Sequence, residues 1–149
     1  MTRRVALAVL LGLLAAASTR AAWTGGGTSE VKLDGDGKAW LVHATLDGKV
    51  SGVFLIDTGA TYCILTPSTA RRLNLPPGPM QAEMHTANGA IHVRVVQVPT
   101  IDVGGNRARD VTAVVHNAVA EPLAGILGLS YLDNFQYSID PKKRVLRLH

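Results

Sequence analysis

Asp57 is the residue in this sequence best placed to do chemistry, because its carboxylate directly follows a run of apolar residues. Phe54-Leu55-Ile56 precede it, and Thr58-Gly59-Ala60 follow. A charged carboxylate at the end of a buried strand is costly unless hydrogen bonds hold it or a function needs it. Gly59 permits a tight turn in which backbone N–H groups approach the carboxylate oxygens. The Thr58 hydroxyl can brace the same loop. The stretch predicts a structured loop that presents a candidate general acid or base.

Other common catalytic and binding patterns are missing from the sequence. No serine lies in a Gly-x-Ser-x-Gly elbow. The single cysteine, Cys63, excludes a disulfide scaffold and a cysteine-based zinc site. We expect Cys63 to be buried, because Tyr62, Ile64 and Leu65 surround it. We expect no metal and no cofactor.

The N-terminal residues resemble a secretory leader. Arg3 and Arg4 precede the apolar run Val5 to Ala17, whose 13 residues are fewer than the roughly 20 that a spanning helix needs. Small residues follow, and cleavage fits after Ala17 or Ala21. Residues 1–21 are predicted to be a signal peptide or an uncleaved anchor, 22–30 a glycine-rich linker, and 31–149 the folded domain. We therefore expect a periplasmic or secreted protein, or one anchored to the inner membrane through its leader.

The net charge of the chain gives no reason to expect nucleic acid as a partner. Without Arg3, Arg4 and Arg20 of the leader, the 15 basic residues fall to 12, against 11 acidic residues. A nearly neutral domain lacks the electrostatic attraction on which nucleic-acid binding depends. The 47% of hydrophobic residues excludes a disordered chain.

The remaining pattern is mainly β. Asp47-Gly48 joins the apolar runs Trp40–Leu46 and Lys49–Ile56 and predicts a hairpin. One helix is predicted after Thr66, which can cap it, with Pro67 in its first turn and Asn74 at its end. A second short helix is expected over 130–134. A final hairpin is expected between 135–139 and 144–148.

A second hairpin is predicted at Asn88-Gly89. With these two residues as the loop, pairs 87–90, 86–91 and 85–92 would form, and His85 would face His92. Further along the strand, the apolar alternation shifts by one residue at Val95-Val96. We interpret the shift as a β-bulge.

The stretch Leu-Ile-Asp-Thr-Gly-Ala, residues 55–60, resembles the active-site motif of retropepsin-like aspartic proteases. Ile126-Leu127-Gly128 is similar to the second element of that family, two apolar residues and a glycine. The Asn88-Gly89 hairpin lies between them, where the family has its flap. The resemblance runs from Val31 to His149 and is greatest to bacterial exported or membrane-linked members. It implies a closed β-barrel with one or two short helices and a flap hairpin.

The resemblance also implies roles for individual residues. Asp57 matches the catalytic aspartate, and Thr58 the residue whose hydroxyl links two active-site loops across a dimer. Gly59 matches the glycine near the substrate backbone, and Ala60 the fourth position, where some relatives carry serine. The flap tip, which would contact substrate, consists of Ala87, Asn88, Gly89 and Ala90.

The chemistry of this family needs two carboxylates that share one proton, and this chain contains one Asp-Thr-Gly. The resemblance therefore implies a homodimer in which two copies of Asp57 meet on a two-fold axis. The substrate would be a peptide or protein, hydrolysed by an activated water. A serine at position 60 could donate a hydrogen bond that favours the charged carboxylate, whereas Ala60 cannot. We therefore expect an activity optimum nearer neutral pH than in relatives with serine.

Two other interpretations remain open. The same fold can serve as a dimerisation or peptide-binding module without proteolysis. Alternatively, the Asp-Thr-Gly is accidental and the chain is a structural β-domain of the cell envelope. Replacing Asp57 with Asn separates a protease from a scaffold, and monomeric behaviour at all concentrations favours the structural domain.

Overall fold

The computed structural model describes residues 27–75 and 80–149. The predicted leader and the first part of the predicted linker, residues 22–26, lie outside the described residues. Within them are ten strands and two short helices. In chain order they are β1 (Ser29–Lys32), β2 (Trp40–Leu46), β3 (Val50–Ile56), β4 (Cys63–Leu65), α1 (Pro67–Leu73), β5 (Gln81–Thr86), β6 (Gly89–Val103), β7 (Asn106–Val115), β8 (Leu123–Leu127), α2 (Leu129–Leu132), β9 (Tyr137–Asp140) and β10 (Val145–Leu148).

Six strands close into a barrel. Their order is β2-β3-β8-β4-β7-β6, and β6 returns to β2 through the pairs Thr45↔Asp102 and Leu46↔Ile101. Two of the contacts, β3 with β8 and β4 with β7, are parallel, and the others are antiparallel. The predicted fold class, a mainly β closed barrel with two short helices and a flap hairpin, is confirmed.

The barrel strands bury apolar residues on both of their faces. One set fills the inside of the barrel and includes Leu46, Leu65 and Leu127, each fully buried. We call this set the barrel core. A smaller set lies on the opposite faces of the same strands, and we call it the outer wall. Its buried members are Ile64, Val93, Val95, Val114 and Ile126.

The bulge predicted at Val95-Val96 is wrong. β6 pairs with β7 in one uninterrupted register from Arg94↔Val115 to Val98↔Val111. Val95 belongs to the outer wall and Val96 to the barrel core. Both faces of the strand are buried at this point, so two neighbouring valines are apolar without any extra residue in the ladder.

The hairpin between β5 and β6 exists, but its loop lies one residue earlier than predicted, which shifts the strand pairing by two residues. Thr86 pairs with Gly89, so the loop is Ala87-Asn88 rather than Asn88-Gly89. The Thr86 hydroxyl accepts a hydrogen bond from the N–H of Asn88 (3.2 Å) and donates one to the carbonyl of Gly89 (2.8 Å). These two bonds stabilise the Ala87-Asn88 loop, and Gly89, the residue after it, has a positive φ of 113°.

The shifted register separates the two histidines that were predicted to face each other. His85 lies opposite Ala90, and His92 lies opposite Glu83. His85 instead lies beside Glu83 of its own strand, with Nε2 and Oε1 3.3 Å apart.

The first hairpin and both helices are confirmed with small changes of boundary. The β2–β3 loop has three residues, Asp47 to Lys49, so β3 begins at Val50. Thr66 caps α1 by accepting a hydrogen bond from the N–H of Thr69, and Asn74 ends it in the left-handed conformation. α2 covers Leu129–Leu132, the four residues that directly follow Ile126-Leu127-Gly128 and form the helix candidate there, and it ends before the 134 expected above.

A separate three-stranded sheet joins the two ends of the domain. Its order is β1-β10-β9, so the C-terminal strand β10 has a neighbour on each side. Ser29 and Glu30 belong to β1, although the sequence places them in the linker. The final hairpin is confirmed as β9 and β10. In the two described ranges, no helix has the length and apolar character needed to cross a bilayer.

Candidate active site

Asp57 lies immediately after β3, and the loop around it is held by backbone hydrogen bonds. Its N–H bonds to the carbonyl of Leu127 (3.1 Å), which continues the parallel pairing of β3 with β8. The N–H of Ala60 bonds to the carbonyl of Asp57 (3.2 Å), closing a turn. The N–H of Gly59 donates to Asp57 Oδ1 at 2.8 Å, which is the approach of backbone donors predicted from the glycine.

The loop presents its functional groups outward. Asp57 is half-buried, whereas Thr58 and Gly59 are exposed. An ideal Cβ at position 59 would lie 3.1 Å from Asp57 Oδ1, closer than nearly all real Cβ contacts. The glycine therefore allows the carboxylate oxygen to sit against the backbone of its own loop.

The second predicted element, Ile126-Leu127-Gly128, packs directly against this loop. Leu127 belongs to the barrel core and Ile126 to the outer wall. A Cβ at Gly128 would overlap the carbonyl oxygens of Ala60 and Tyr62. Gly128 therefore lets the Asp57 loop lie against the start of α2, and the structure brings both predicted elements together.

A cavity of about 430 Å³ opens beside Asp57. Most of its walls are apolar, and they come from the Asp57 loop, β4, β5, β6 and β7. The lining residues are Asp57, Gly59, Ala60, Thr61, Tyr62, Ile64, Ala82, Glu83, Met84, His85, Val93 and Val114. The cavity therefore joins a carboxylate to the apolar outer wall, beneath strand β5 of the flap hairpin.

The flap hairpin lines the cavity with strand β5 and not with its tip. Ala87, Asn88, Gly89 and Ala90 are exposed at the tip and are not part of the lining. Four consecutive residues of β5, Ala82 to His85, line it instead. The signal that could have indicated them is the alternation of small or apolar with polar residues along that strand.

Glu83 is the second carboxylate that lines the cavity. Its Oε1 lies 3.3 Å from His85 Nε2, and its side chain is about half exposed. Within the described residues, no three His, Cys, Asp or Glu side chains come together as a metal site would require.

Two polar side chains below the loop complete the site. Cys63 is fully buried, as predicted, and burial raises the pKa of its thiol, which disfavours the reactive thiolate. Ser130 was predicted only as part of a helix. Its hydroxyl in fact accepts a hydrogen bond from the N–H of Cys63 (2.9 Å) and donates one to the carbonyl of Thr112 (2.7 Å).

A six-stranded barrel with an Asp-Thr-Gly loop against an apolar-apolar-glycine corner defines the retropepsin-like class of fold. Among solved structures, the chain is similar to a retropepsin-like aspartic protease from Rickettsia conorii. The TM-score is 0.62 at 22% identity, over 82% of this chain and 91% of that one. A comparison with curated protein sequences finds no significant match.

The family of this chain is shown by a match to a protein-family model. The model described as aspartyl protease matches residues 42–131, which span β2 to α2 and include Asp57 and Gly128. This is more than half of the chain, and the chain belongs to the aspartyl protease family. It is a hydrolase with a retropepsin-like fold.

Proposed function

We propose that this protein is an aspartic endopeptidase that is active as a homodimer, with Asp57 as the catalytic residue of each subunit. One observation carries the proposal. A half-buried carboxylate lies at a mostly apolar cavity, on a loop whose next two residues, Thr58 and Gly59, are exposed. A two-fold axis that passes beside this loop brings the second Asp57 to the first, and Thr58 then lies where it can link the two loops.

The paired carboxylates supply both acid and base. Two like charges about 3 Å apart cannot both ionise easily, so the pair holds one proton between them. The ionised carboxylate removes a proton from a water molecule, which attacks the peptide carbonyl carbon. The protonated carboxylate donates its proton to the carbonyl oxygen. Because the pair titrates as a unit, either Asp57 can take either role.

The substrate is an extended peptide. β5 is the last strand in the order of the larger sheet, and β6 is its one neighbour among the described strands. Its other edge can therefore pair with a peptide backbone, as in recognition by strand addition. The residues of β5 that line the cavity lie along the same segment. An apolar side chain near the scissile bond would then enter the cavity against Ile64 and Val114.

Replacing Asp57 with Asn tests the catalytic role. We expect peptide hydrolysis to fall by about 10²- to 10⁴-fold, because amides cannot transfer the proton. Asp110→Asn is the control, since Asp110 is also exposed, has a positive φ (52°) that asparagine tolerates, and lies outside the cavity. Equal cleavage by Asp57→Asn and the wild type would exclude Asp57 as the catalytic residue. Dimerisation or peptide binding by both proteins, with no cleavage by either, would favour a peptide-binding or dimerisation module.

Mixing the two proteins tests the shared site. Excess Asp57→Asn should suppress wild-type activity, because mixed dimers contain one competent carboxylate. Specific activity should also fall on dilution, in parallel with dissociation measured by sedimentation. Activity that is independent of both dilution and the inactive partner would contradict a homodimeric centre.

We also propose that the protein is exported, as in bacterial exported or membrane-linked relatives, to the periplasm or beyond. The support is the arginine-led apolar run of residues 3–17 in the sequence. Mass spectrometry of the protein from fractionated cells tests this. A new N-terminus at position 18 or 22 in the periplasm indicates cleavage, and an intact chain in the inner membrane indicates an anchor. An intact cytoplasmic chain would exclude export.

A further inference from the structure

Ser130 connects three parts of the molecule through one hydroxyl group. Ser130 is the second residue of α2. Its hydroxyl accepts a hydrogen bond from the N–H of Cys63 at 2.9 Å and donates one to the carbonyl of Thr112 at 2.7 Å. Cys63 is the first residue of β4, and Thr112 lies on β7. The hydroxyl therefore holds the end of the Asp57 loop against both a helix and a barrel strand.

Backbone N–H groups at the start of α2 hold two earlier residues of the loop, Ala60 and Thr61. The N–H of Leu129 donates to the carbonyl of Ala60 (2.8 Å), and the N–H of Ser130 donates to that of Thr61 (2.9 Å). The loop that starts at Asp57 is thus anchored at residues 60, 61 and 63 by Leu129 and Ser130. Of these three anchors, the one at Cys63 depends on a side chain and can be removed by substitution.

We propose that Ser130 is a positioning residue for Asp57, an inference that rests on the proposed function. The loop is fixed at its start by β3 and further along by the backbone bonds at Ala60 and Thr61 and by the Ser130 hydroxyl at Cys63. Removing that hydroxyl leaves the Cys63 N–H and the Thr112 carbonyl without this partner. The start of α2, which carries the two backbone anchors, is then held less firmly against β4 and β7, so the loop can shift. A dyad requires two carboxylates at close distance, and a displacement of about 1 Å can lower a catalytic rate by about 10²-fold.

Thr69 provides a matched control. Its hydroxyl donates to the carbonyl of Ala124 at 2.8 Å and also contacts the Thr66 hydroxyl at 2.9 Å. Like Ser130, it ties a short helix to a barrel strand through a backbone carbonyl. Thr69 is fully buried and lies on α1, outside the Asp57 loop and the cavity lining.

The experiment compares Ser130→Ala, Ser130→Thr and Thr69→Val in the full chain, at protein concentrations where sedimentation shows dimer. We expect Ser130→Ala and Thr69→Val to lower the melting temperature by a similar amount. In Ser130→Ala, kcat should fall by about 10- to 100-fold, with KM within about twofold of the wild type. Thr69→Val should keep its kcat, and Ser130→Thr, which retains a hydroxyl, should recover most of it.

Amide NMR spectra give a readout that does not depend on activity. Resonances of residues 57–62 should shift or broaden in Ser130→Ala and stay unchanged in Thr69→Val. The inference is overturned if those resonances do not move, or if the two variants lose kcat equally. A wild type that hydrolyses no peptide would refute the proposed function, while the spectra would still decide whether Ser130 positions the loop.

Discussion

The barrel core and the outer wall are built from neighbouring residues of the same strands, yet they are covered differently. On β4, Leu65 lies in the barrel core and is fully buried, whereas the adjacent Ile64 lies in the outer wall and is 8% exposed. The residues packed around the outer wall, such as Leu55 and Met84, are only partly buried. The chain thus fills its own interior, whereas the outer wall is bordered by partly buried residues and forms part of the cavity beside Asp57. A mostly apolar cavity with a few polar groups is typical of a ligand site.

The largest effect should follow truncation in the barrel core. Leu65→Ala removes fully buried methyl groups, and we expect the free energy of unfolding to fall by about 2–5 kcal/mol. This is a large share of the roughly 5–15 kcal/mol that stabilises an ordinary domain. Denaturant unfolding measures it. A loss below about 1 kcal/mol would mean that the position is not part of a tightly packed interior.

Truncation of Ile64, the residue before Leu65, should mainly weaken peptide binding. Ile64 lines the cavity, so Ile64→Ala should raise KM by up to roughly 50-fold for peptides with an apolar side chain near the scissile bond, since it removes three carbons and each buried CH₂ contributes about 0.8 kcal/mol. The stability loss should be smaller than for Leu65→Ala. Ile64→Val should raise KM by a few-fold only. The comparison between the two surfaces fails if Ile64→Ala changes stability as much as Leu65→Ala and leaves KM unchanged.

The smallest effect should come from a substitution at Ala60, where the outer wall meets the Asp57 carboxylate. Ala60 packs against the outer wall and lines the cavity. In Ala60→Ser, the new hydroxyl can donate to the Asp57 carboxylate and favour its charged form. The acid limb of the pH–rate profile should therefore move to lower pH, by a fraction of a unit. A profile that stays in place, or moves to higher pH, would exclude this explanation of the alanine.

The features that could be predicted from the sequence depend on local pattern. The α1 boundaries follow from Thr66, Pro67 and Asn74, because capping is decided by residues within one turn. The Asp57 loop follows from an apolar strand that ends in a carboxylate and a glycine. The fold class follows from the order of these motifs, which is a property of the linear chain.

The features that could not be predicted depend on contacts that the residue types alone do not reveal. At Val95-Val96, alternation cannot distinguish a bulge from a strand buried on both faces. At the flap, the Thr86 hydroxyl competes with the turn preference of Asn88-Gly89 and decides the register. Ser130 becomes informative only when α2 is placed between Cys63 and Thr112, and nothing in its sequence neighbourhood indicates those partners.

The terminal sheet limits where any proteolytic trimming of this protein could leave the fold intact. Because β1 and β9 flank β10, the fully buried Leu146 and Leu148 depend on β1 as well as on the hairpin of β9 and β10. A cut anywhere before Ser29 removes no strand of this sheet. A cut after Lys32 would take away one neighbour of β10 and leave an open edge, so a cut that preserves the fold must fall upstream of Ser29.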